Sequence, residues 1–196
     1  MVNLAAMEVP DYNPNMVKNQ EVEWPKSFPK STIGLERKNV FMDENDEYLD
    51  GALDSIKQLR LKGYKVVLIM DERGRTESDV NTSNMKMMQD FGQAGILSIE
   101  GIFYSIGTER ADPFVKPSIG MFKRCEDERP HLKFKGGWYI GHTIADAKAA
   151  FKIGARSALI NPTEETIKKL NSFANQKIKK KTRIFQSLPE FEKTLK

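Results

Sequence analysis

Two stretches of this sequence carry residue types suited to handling a phosphate group. Val115-Lys116-Pro117 supplies a lysine in a loop, and further along the chain Trp138-Tyr139-Ile140 is followed by Gly141 and then by Asp146. The order is a lysine loop, a buried strand, a glycine turn and an acid that opens a helix. This order is typical of a phosphate-transferring site on a parallel sheet, because a cation near the strand ends neutralises phosphoryl oxygens. His142 stands where such a site would carry a carboxylate.

The elements that position these residues alternate between strand and helix from residue 38 onwards. Apolar runs predict strands at 40–42, 66–70, 102–104, 138–140 and 157–160. Helical spacing and caps predict helices through Leu53, Ile56 and Leu59 and near 78–91, 118–127, 145–153, 163–173 and 188–195. The predicted fold is a three-layer, Rossmann-like α/β domain with a mostly parallel five-stranded sheet. Polar residues at the strand ends of such a sheet meet at its carboxyl edge.

Residues 1–37 differ from the rest, and we assign them to an extended N-terminal arm that precedes the domain of residues 38–196. Prolines interrupt this segment, and no helical or strand period persists in it. Trp24 and Phe28 are large apolar side chains in a polar surrounding, so each needs a surface to bury it. That surface is either the chain's own domain or another protein subunit, which makes Trp24 and Phe28 candidate docking residues.

Composition limits the function classes. The chain has 196 residues, 39% of them hydrophobic, and no apolar run approaches the ~20 residues of a membrane helix. The N-terminus carries no recognisable secretion signal, so we expect a protein of the cytoplasm or of a large assembly, without membrane contact. The net charge of +4 gathers in Lys177–Arg183. A solvated surface is the favoured interpretation of this run, and nucleic-acid binding the less favoured, because no aromatic residues interleave to stack bases.

The order of these motifs resembles the haloacid dehalogenase-like phosphatases, in particular their capless histidinol-phosphate and heptose-bisphosphate branches. The stretch Lys116-Pro117-Ser118-Ile119-Gly120-Met121 and the turn from Gly141 to Asp146 carry the resemblance, which covers about residues 38–190. It implies the topology of that family without a cap domain. It also implies that Asp43 corresponds to the attacking aspartate, Lys116 to the charge-neutralising lysine and Asp146 to a magnesium ligand.

Three other positions depart from the family pattern. Asn45 stands where a general acid is expected, and an amide has no titratable proton. Met70 replaces the hydroxyl residue that would bind phosphoryl oxygens. His142 replaces the first magnesium aspartate, and an imidazole suits zinc, copper or nickel better than magnesium. A metal site of a different kind, formed by His142, Asp43 and Asp146, is an alternative that these residues leave open.

The three losses together favour a catalytically inactive domain that serves as a structural or scaffolding subunit of a larger protein assembly, such as a virion. In that interpretation Asp43, Lys116 and Asp146 persist as a salt-bridge and capping set, no cofactor is expected, and other subunits bind the arm. The alternative is a magnesium-dependent phosphatase that acts on a small phosphomonoester. There Asp43 would form an aspartyl-phosphate, Lys116 would stabilise the charge and Asp146 would bind the metal.

Overall fold

The computed structural model describes residues 31–96, 98–109 and 111–196. Six strands form one sheet with the order β3-β2-β1-β4-β5-β6, and every neighbouring pair is parallel. The strands are β1 (Thr32–Leu35), β2 (Lys65–Asp71), β3 (Ile102–Ser105), β4 (Trp138–Gly141), β5 (Arg156–Ile160) and β6 (Thr182–Phe185). The helices are α1 (Ala52–Leu61), α2 (Glu77–Gln93), α3 (Gly120–Glu128), α4 (Ile144–Lys152), α5 (Glu164–Asn171), α6 (Gln176–Lys179) and α7 (Leu188–Lys193), with a 3₁₀ helix at Phe173–Asn175.

Helices cover both faces of the sheet, which makes the domain three-layered. On one face, α1, α2 and α7 enclose a core that contains Ile56, Phe91 and Phe191. On the other face, α3 and α4 pack over a second core that includes Phe122 and Tyr139. Strands between two helical layers are buried on both faces, which explains the continuous apolar run of β2. The predicted fold class is confirmed, with six strands in place of five.

Gly34, in the middle of β1, makes room for a functional side chain on the neighbouring strand. It pairs with Tyr139 of β4, and a Cβ atom at position 34 would lie 2.8 Å from the Tyr139 ring. Any larger residue would push this ring aside, because real Cβ contacts are not that short. The glycine therefore allows Tyr139 to stand at the centre of the second core.

The first strand was predicted at the wrong place. It is Thr32–Leu35, so these four residues, which we assigned to the arm, belong to the sheet, and Glu36 and Arg37 follow the strand directly. Val40, Phe41 and Met42 are buried, but they form a turn whose three backbone amides all donate to the carbonyl of Arg37. An apolar run indicates that its residues are buried, and it does not by itself distinguish a strand from a buried turn.

The other four predicted strands are confirmed within one or two residues, and β6 was missed. Within the described residues no separate cap domain is inserted between the strands. A search of the same residues for a helix both long and apolar enough to cross a membrane finds none. Trp24 and Phe28 lie outside the described residues, so their docking role stays a prediction.

Candidate functional site

Three charged side chains meet at the carboxyl edge of the sheet. Glu36 directly follows β1, Lys116 lies in the loop between β3 and α3, and Asp146 lies in the first turn of α4. Lys116 forms an ion pair with Glu36 and another with Asp146, whose Oδ1 lies 2.6 Å from Nζ. All three are buried, so the cluster is closed from solvent. We call Glu36, Lys116 and Asp146 the lysine centre.

Tyr139 completes the coordination of the lysine. Lys116 donates to the hydroxyl oxygen of Tyr139 at 2.8 Å, and this hydroxyl donates to the carbonyl of Ile69 at 2.7 Å. All three ammonium protons of Lys116 therefore have partners: Glu36, Asp146 and Tyr139. Burial opposes the charged form of Lys116, but the two carboxylates outweigh it and hold its pKa well above the ordinary value.

Asp146 is fixed by the turn that joins β4 to α4. Its Oδ2 accepts hydrogen bonds from the amides of His142 and Thr143 and from the Thr143 hydroxyl, at 3.0, 2.9 and 2.8 Å. Thr143 is the N-cap residue and Asp146 its capping-box partner. Burial acts to raise the pKa of Asp146, but Lys116 and these amides outweigh it, so the pKa lies below its ordinary value. Asp146 is therefore a carboxylate at neutral pH.

The turn also requires a glycine. A Cβ atom at Gly141 would lie 2.3 Å from the Cβ of Asp146, a distance at which two carbon atoms clash. The glycine that the sequence motif singled out therefore permits close approach between the end of β4 and the first turn of α4. This explains why Gly141 and Asp146 occur together in the motif.

Glu36 occupies the strand-end position that the family resemblance assigns to the attacking carboxylate. Its Oε1 accepts from the amide of Arg37 at 2.8 Å, and the amide of Asp71 lies 3.2–3.3 Å from both of its oxygens. Its Oε2 is bound by Lys116. Burial is the largest influence on Glu36 and raises its pKa to about 7, with Asp146 adding to the shift and Lys116 opposing it. The single positive charge of Lys116 can neutralise only one of the two carboxylates. The carboxylate of Glu36 is the one whose charge is not fully compensated.

Asp43 does not lie at the end of a strand, whereas the role predicted for it rested on a first strand at 40–42. Asp43 lies in the loop between β1 and α1, where its Oδ1 accepts from the amides of Asn45 and Glu47 at 2.8 and 3.0 Å. These bonds hold the pKa of Asp43 below its ordinary value. The strand-end carboxylate is Glu36, which sequence reasoning missed. The signal that could have found it is Ile33-Gly34-Leu35-Glu36, an apolar alternation that ends in an acid.

The shift of the first strand also moves the general-acid position from Asn45 to Lys38, two residues after Glu36. Lys38 forms an ion pair with Glu44 at 3.3 Å near the surface. Met70, at the position expected to carry a hydroxyl, is fully buried in β2 and offers no group that binds phosphate oxygens. The prediction that Met70 replaces the phosphate-binding hydroxyl residue therefore keeps its physical basis. The prediction that Asn45 occupies the general-acid position does not.

His142 is turned away from the lysine centre. Its Nδ1 lies 2.8 Å from the carbonyl oxygen of Ile160, at the end of β5. Across the described residues no group of three or more His, Cys, Asp or Glu side chains is placed to hold a metal ion. The set of Asp43, Asp146 and His142 is accordingly not brought together. Magnesium is commonly bound through one or two carboxylates together with water and substrate oxygens, and here the carboxylates of Glu36 and Asp146 are both engaged by Lys116.

A second charged cluster lies beside the first and was not foreseen. The guanidinium of Arg37 donates to Glu72 at 2.5–2.8 Å, and both side chains are fully buried. Arg75 bridges Glu72 at 3.2 Å to Asp46 at 2.9 Å, and the Ser83 hydroxyl donates to Asp46. We call this the arginine cluster. It ties the loop after β1 to the end of β2 and to α2.

Comparisons with known proteins agree with the architecture. No protein-family model matches the chain. The D-glycero-beta-D-manno-heptose-1,7-bisphosphate 7-phosphatase of Escherichia coli O6:H1 is 20% identical over 131 residues, which are 61% of this chain and 68% of that protein. The crystal structure of the D,D-heptose 1,7-bisphosphate phosphatase from B. bronchiseptica, complexed with magnesium and phosphate, superposes with a TM-score of 0.72 at 21% identity, covering 84% of this chain and 97% of that one.

A HAD-like phosphatase, described as putative, from Mesorhizobium loti superposes with a TM-score of 0.57 at 17% identity over 74% of this chain and 78% of that one. At these identities the superpositions establish the fold alone. The resemblance inferred from Lys116 and from the turn between Gly141 and Asp146 is thereby confirmed for the architecture. The chain has the fold of the haloacid dehalogenase-like phosphatases.

Proposed function

We propose that this chain is a non-catalytic protein built on the phosphatase fold, in which the lysine centre stabilises the domain and the chain serves as a structural subunit of a protein assembly. The observation that carries the non-catalytic part is the closure of the lysine centre. Lys116 directs its three protons to Glu36, Asp146 and Tyr139, and the exposed fraction of its side chain is 2%. A lysine that stabilises a transferring phosphoryl group must instead reach the phosphate oxygens.

The side chains around Glu36 support the same conclusion. A carboxylate that attacks phosphorus needs an oxygen directed at the substrate, whereas both oxygens of Glu36 accept hydrogen bonds from protein groups. Lys38 stands at the general-acid position, and it is paired with Glu44. Loss of general acid catalysis alone typically lowers a rate by about 10²–10⁴-fold.

The assembly part of the proposal depends on the N-terminal arm. Trp24 and Phe28 would bury apolar surface against another subunit, and aromatic residues of this kind commonly anchor protein interfaces. If the arm is an anchor, a Trp24→Ala/Phe28→Ala variant of the full chain should migrate as a smaller species than the wild type in size-exclusion chromatography. Identical elution of the two proteins at several concentrations would count against assembly through the arm.

A second candidate function is hydrolysis of a small phosphomonoester. It is favoured by the comparisons, because the relatives named above are phosphatases and none is described as a scaffold. It is also favoured by one structural feature, a carboxylate at the end of β1 in contact with a lysine. In this candidate Glu36 attacks phosphorus and Lys116 leaves its partners to neutralise the phosphoryl oxygens.

Hydrolysis of p-nitrophenyl phosphate in the presence of magnesium separates the two candidates. The non-catalytic candidate predicts the same product release from the wild type, from Glu36→Gln and from the surface control Glu47→Gln. Turnover that disappears only in Glu36→Gln would establish the second candidate and overturn the first. Circular dichroism checks that Glu36→Gln folds. Phosphorus NMR of inorganic phosphate needs no variant, and broadening of the signal by the wild type would reveal a phosphate site.

A further inference from the structure

We infer that the outer face of the segment from Phe173 to Arg183 binds single-stranded nucleic acid without sequence preference, with a base stacked on Phe173 and the phosphate backbone held by lysines. The segment leads into the start of β6, so it ends at the amino edge of the sheet, whereas the lysine centre lies at the carboxyl edge. The inference therefore holds whether or not that centre is catalytic, and it does not depend on the arm.

Positive charge is concentrated in this surface. The stretch Lys177–Arg183 contains five cations and no acid, which exceeds the net charge of +4 of the whole chain. All five residues are exposed, and none of them forms an ion pair with another described residue. Lys181 lies 5.6 Å from the centre of the Phe151 ring, a contact that leaves its charge in place. Such a surface attracts a polyanion, because binding releases the counterions of the polyanion.

An exposed aromatic ring stands directly before these cations. The run from Lys177 contains no aromatic residue, but Phe173 begins the 3₁₀ helix that continues into α6. Phe173 is 96% exposed, the largest fraction among the large apolar residues in the described part of the chain, and Met85 follows at 68%. The ring therefore adds nothing to the core, and its faces are open to a planar partner.

Helical spacing places the ring and two lysines on one face. The segment is helical without a break from the 3₁₀ helix to the end of α6. Asn175 is buried and Ile178 packs against the apolar cluster of α4 and α5, so these two residues define the inner side. Residues three or four apart in a helix share a face. Lys177 therefore lies one turn from Phe173 on the outer side, and Lys180, in the turn after α6, continues the same line.

These features fit a single strand of nucleic acid better than other polyanions. The helix α6 has four residues and is too short to fill the groove of a duplex. A membrane surface would need an apolar helix face, whereas Ile178, the apolar side chain of α6, packs on the core. An acidic peptide would pair with the lysines but gives no reason for the exposed ring. An unstacked base does, since aromatic side chains stack on any base beside a basic surface that follows the backbone.

Fluorescence anisotropy of a labelled oligothymidylate of about twelve nucleotides, titrated with the full chain, tests the charge contribution. With four or five phosphate contacts, the logarithm of the association constant should fall against the logarithm of the salt concentration with a slope of about −3. Lys177→Gln/Lys180→Gln should make this slope shallower by about 1.4. The control Lys86→Gln/Lys123→Gln makes the same charge change on exposed positions of α2 and α3 and should keep the wild-type slope.

The same titration tests the ring. Phe173→Ala should raise the dissociation constant at least about fivefold, because a base loses its stacking partner, and Phe173→Trp should keep the affinity. Met85→Ala, which truncates an exposed apolar side chain on α2, is the matched control and should bind like the wild type. The side chain of Phe173 lies outside the core, so Phe173→Ala should fold normally, which urea unfolding checks. Equal dissociation constants for Phe173→Ala and the wild type would overturn the inference.

Other polyanions, used as competitors at the same salt concentration, separate the remaining partners. We expect the single strand to bind more tightly than a duplex of the same length and than polyglutamate of the same charge. A duplex that binds more tightly would contradict base stacking, and polyglutamate that binds equally well would assign the surface to an acidic protein. Binding to vesicles that contain phosphatidylserine, without binding to the oligothymidylate, would assign it to a membrane. No binding of the oligothymidylate at low salt would also overturn the inference.

Discussion

Lys116 and Asp146 lie 30 positions apart in the sequence and are joined by a 2.6 Å hydrogen bond between Nζ and Oδ1, in a pocket that leaves both almost without solvent contact. Glu36 is the third member of this centre and binds the same ammonium group. Two carboxyl groups thus share one cation inside the protein. We therefore expect the balance of charge in this pocket to influence both the stability of the domain and the protonation of Glu36.

Removal of the lysine should be strongly destabilising. Lys116→Met would leave Glu36 and Asp146 buried without their cation, and breaking a buried ion pair by removing one partner costs about 3–5 kcal/mol. Urea unfolding followed by circular dichroism measures the change, with Lys123→Met on the exposed face of α3 as a matched control near zero. A loss below about 1 kcal/mol for Lys116→Met would mean that solvent already screens the pair.

The centre should also give the protein an unusual pH dependence. Burial raises the pKa of Glu36 from 4.5 to about 7, so between these values the folded protein holds a proton that the unfolded chain has released. The free energy of unfolding should therefore fall as the pH rises through this window, by up to about 1.4 kcal/mol per pH unit. Asp146, whose pKa is lowered, acts in the opposite sense, but only below its ordinary value of 3.8.

The measurement is urea unfolding between about pH 5 and pH 7, where Glu36→Gln should remove the slope. Glu47→Gln, which changes an exposed glutamate in the same loop, should keep it. A wild-type stability that rises steadily across this range would show that Glu36 stays ionised in the folded protein, with Lys116 prevailing over burial.

The motif around the lysine could be predicted because its residues are fixed by local geometry. Position 141 must be a glycine because β4 approaches Asp146 closely there, and Asp146 belongs to the capping box of the helix that follows. The two residues therefore form a motif that can be recognised within a few positions of the sequence. The apolar runs of β2 and β4 were equally visible, because strands buried on both faces lack polar alternation. From these elements the fold class followed.

The attacking-carboxylate position was assigned to the wrong residue because burial and strand geometry are separate properties. Residues 40–42 are more apolar than Thr32–Leu35, yet they form a turn around the carbonyl of Arg37. β1 contains Gly34, which lowers its strand propensity and is present to make room for Tyr139. β6 was not predicted because it contains the polar residues Thr182 and Arg183, which an edge strand tolerates. Of these causes, the contact of Gly34 with Tyr139 joins residues that are distant in the sequence.

The hydroxyl of Tyr139 should contribute measurably to the stability of the domain, although its ring lies in an aromatic core. Tyr139→Phe removes a group that accepts from Lys116 and donates to the carbonyl of Ile69, and it leaves both partners buried. The expected loss is about 1–3 kcal/mol of unfolding free energy. Tyr104→Phe is the matched control, because its hydroxyl donates to Asn81 at the surface and its loss should cost about 0.5–1 kcal/mol at most. Equal losses in the two variants would show that the buried hydroxyl of Tyr139 contributes no more to the unfolding free energy than the surface hydroxyl of Tyr104.

The arginine cluster permits a test of whether a buried ion pair is retained for stability. Arg37 and Glu72 are fully buried, and one guanidinium nitrogen of Arg37 has no hydrogen-bond partner in the described part of the chain. Glu72→Leu leaves the buried guanidinium of Arg37 without its ion-pair partner and should cost about 3–5 kcal/mol, whereas Arg37→Met should cost less, because Glu72 keeps its contact with Arg75 at 3.2 Å. The double variant removes both charges, so we expect it to be at least about 2 kcal/mol more stable than the sum of the single losses predicts.

Urea unfolding of the four proteins in this double-mutant cycle gives the coupling energy directly. Arg75 keeps Asp46 as a partner when Glu72 is replaced, so its own charge is not left unpaired in that variant. A double variant nearly as stable as the wild type would mean that the pair adds little net stability and instead fixes the loop after β1 against β2. Additive losses would contradict this, since they would require each residue to stabilise the fold through contacts independent of the other.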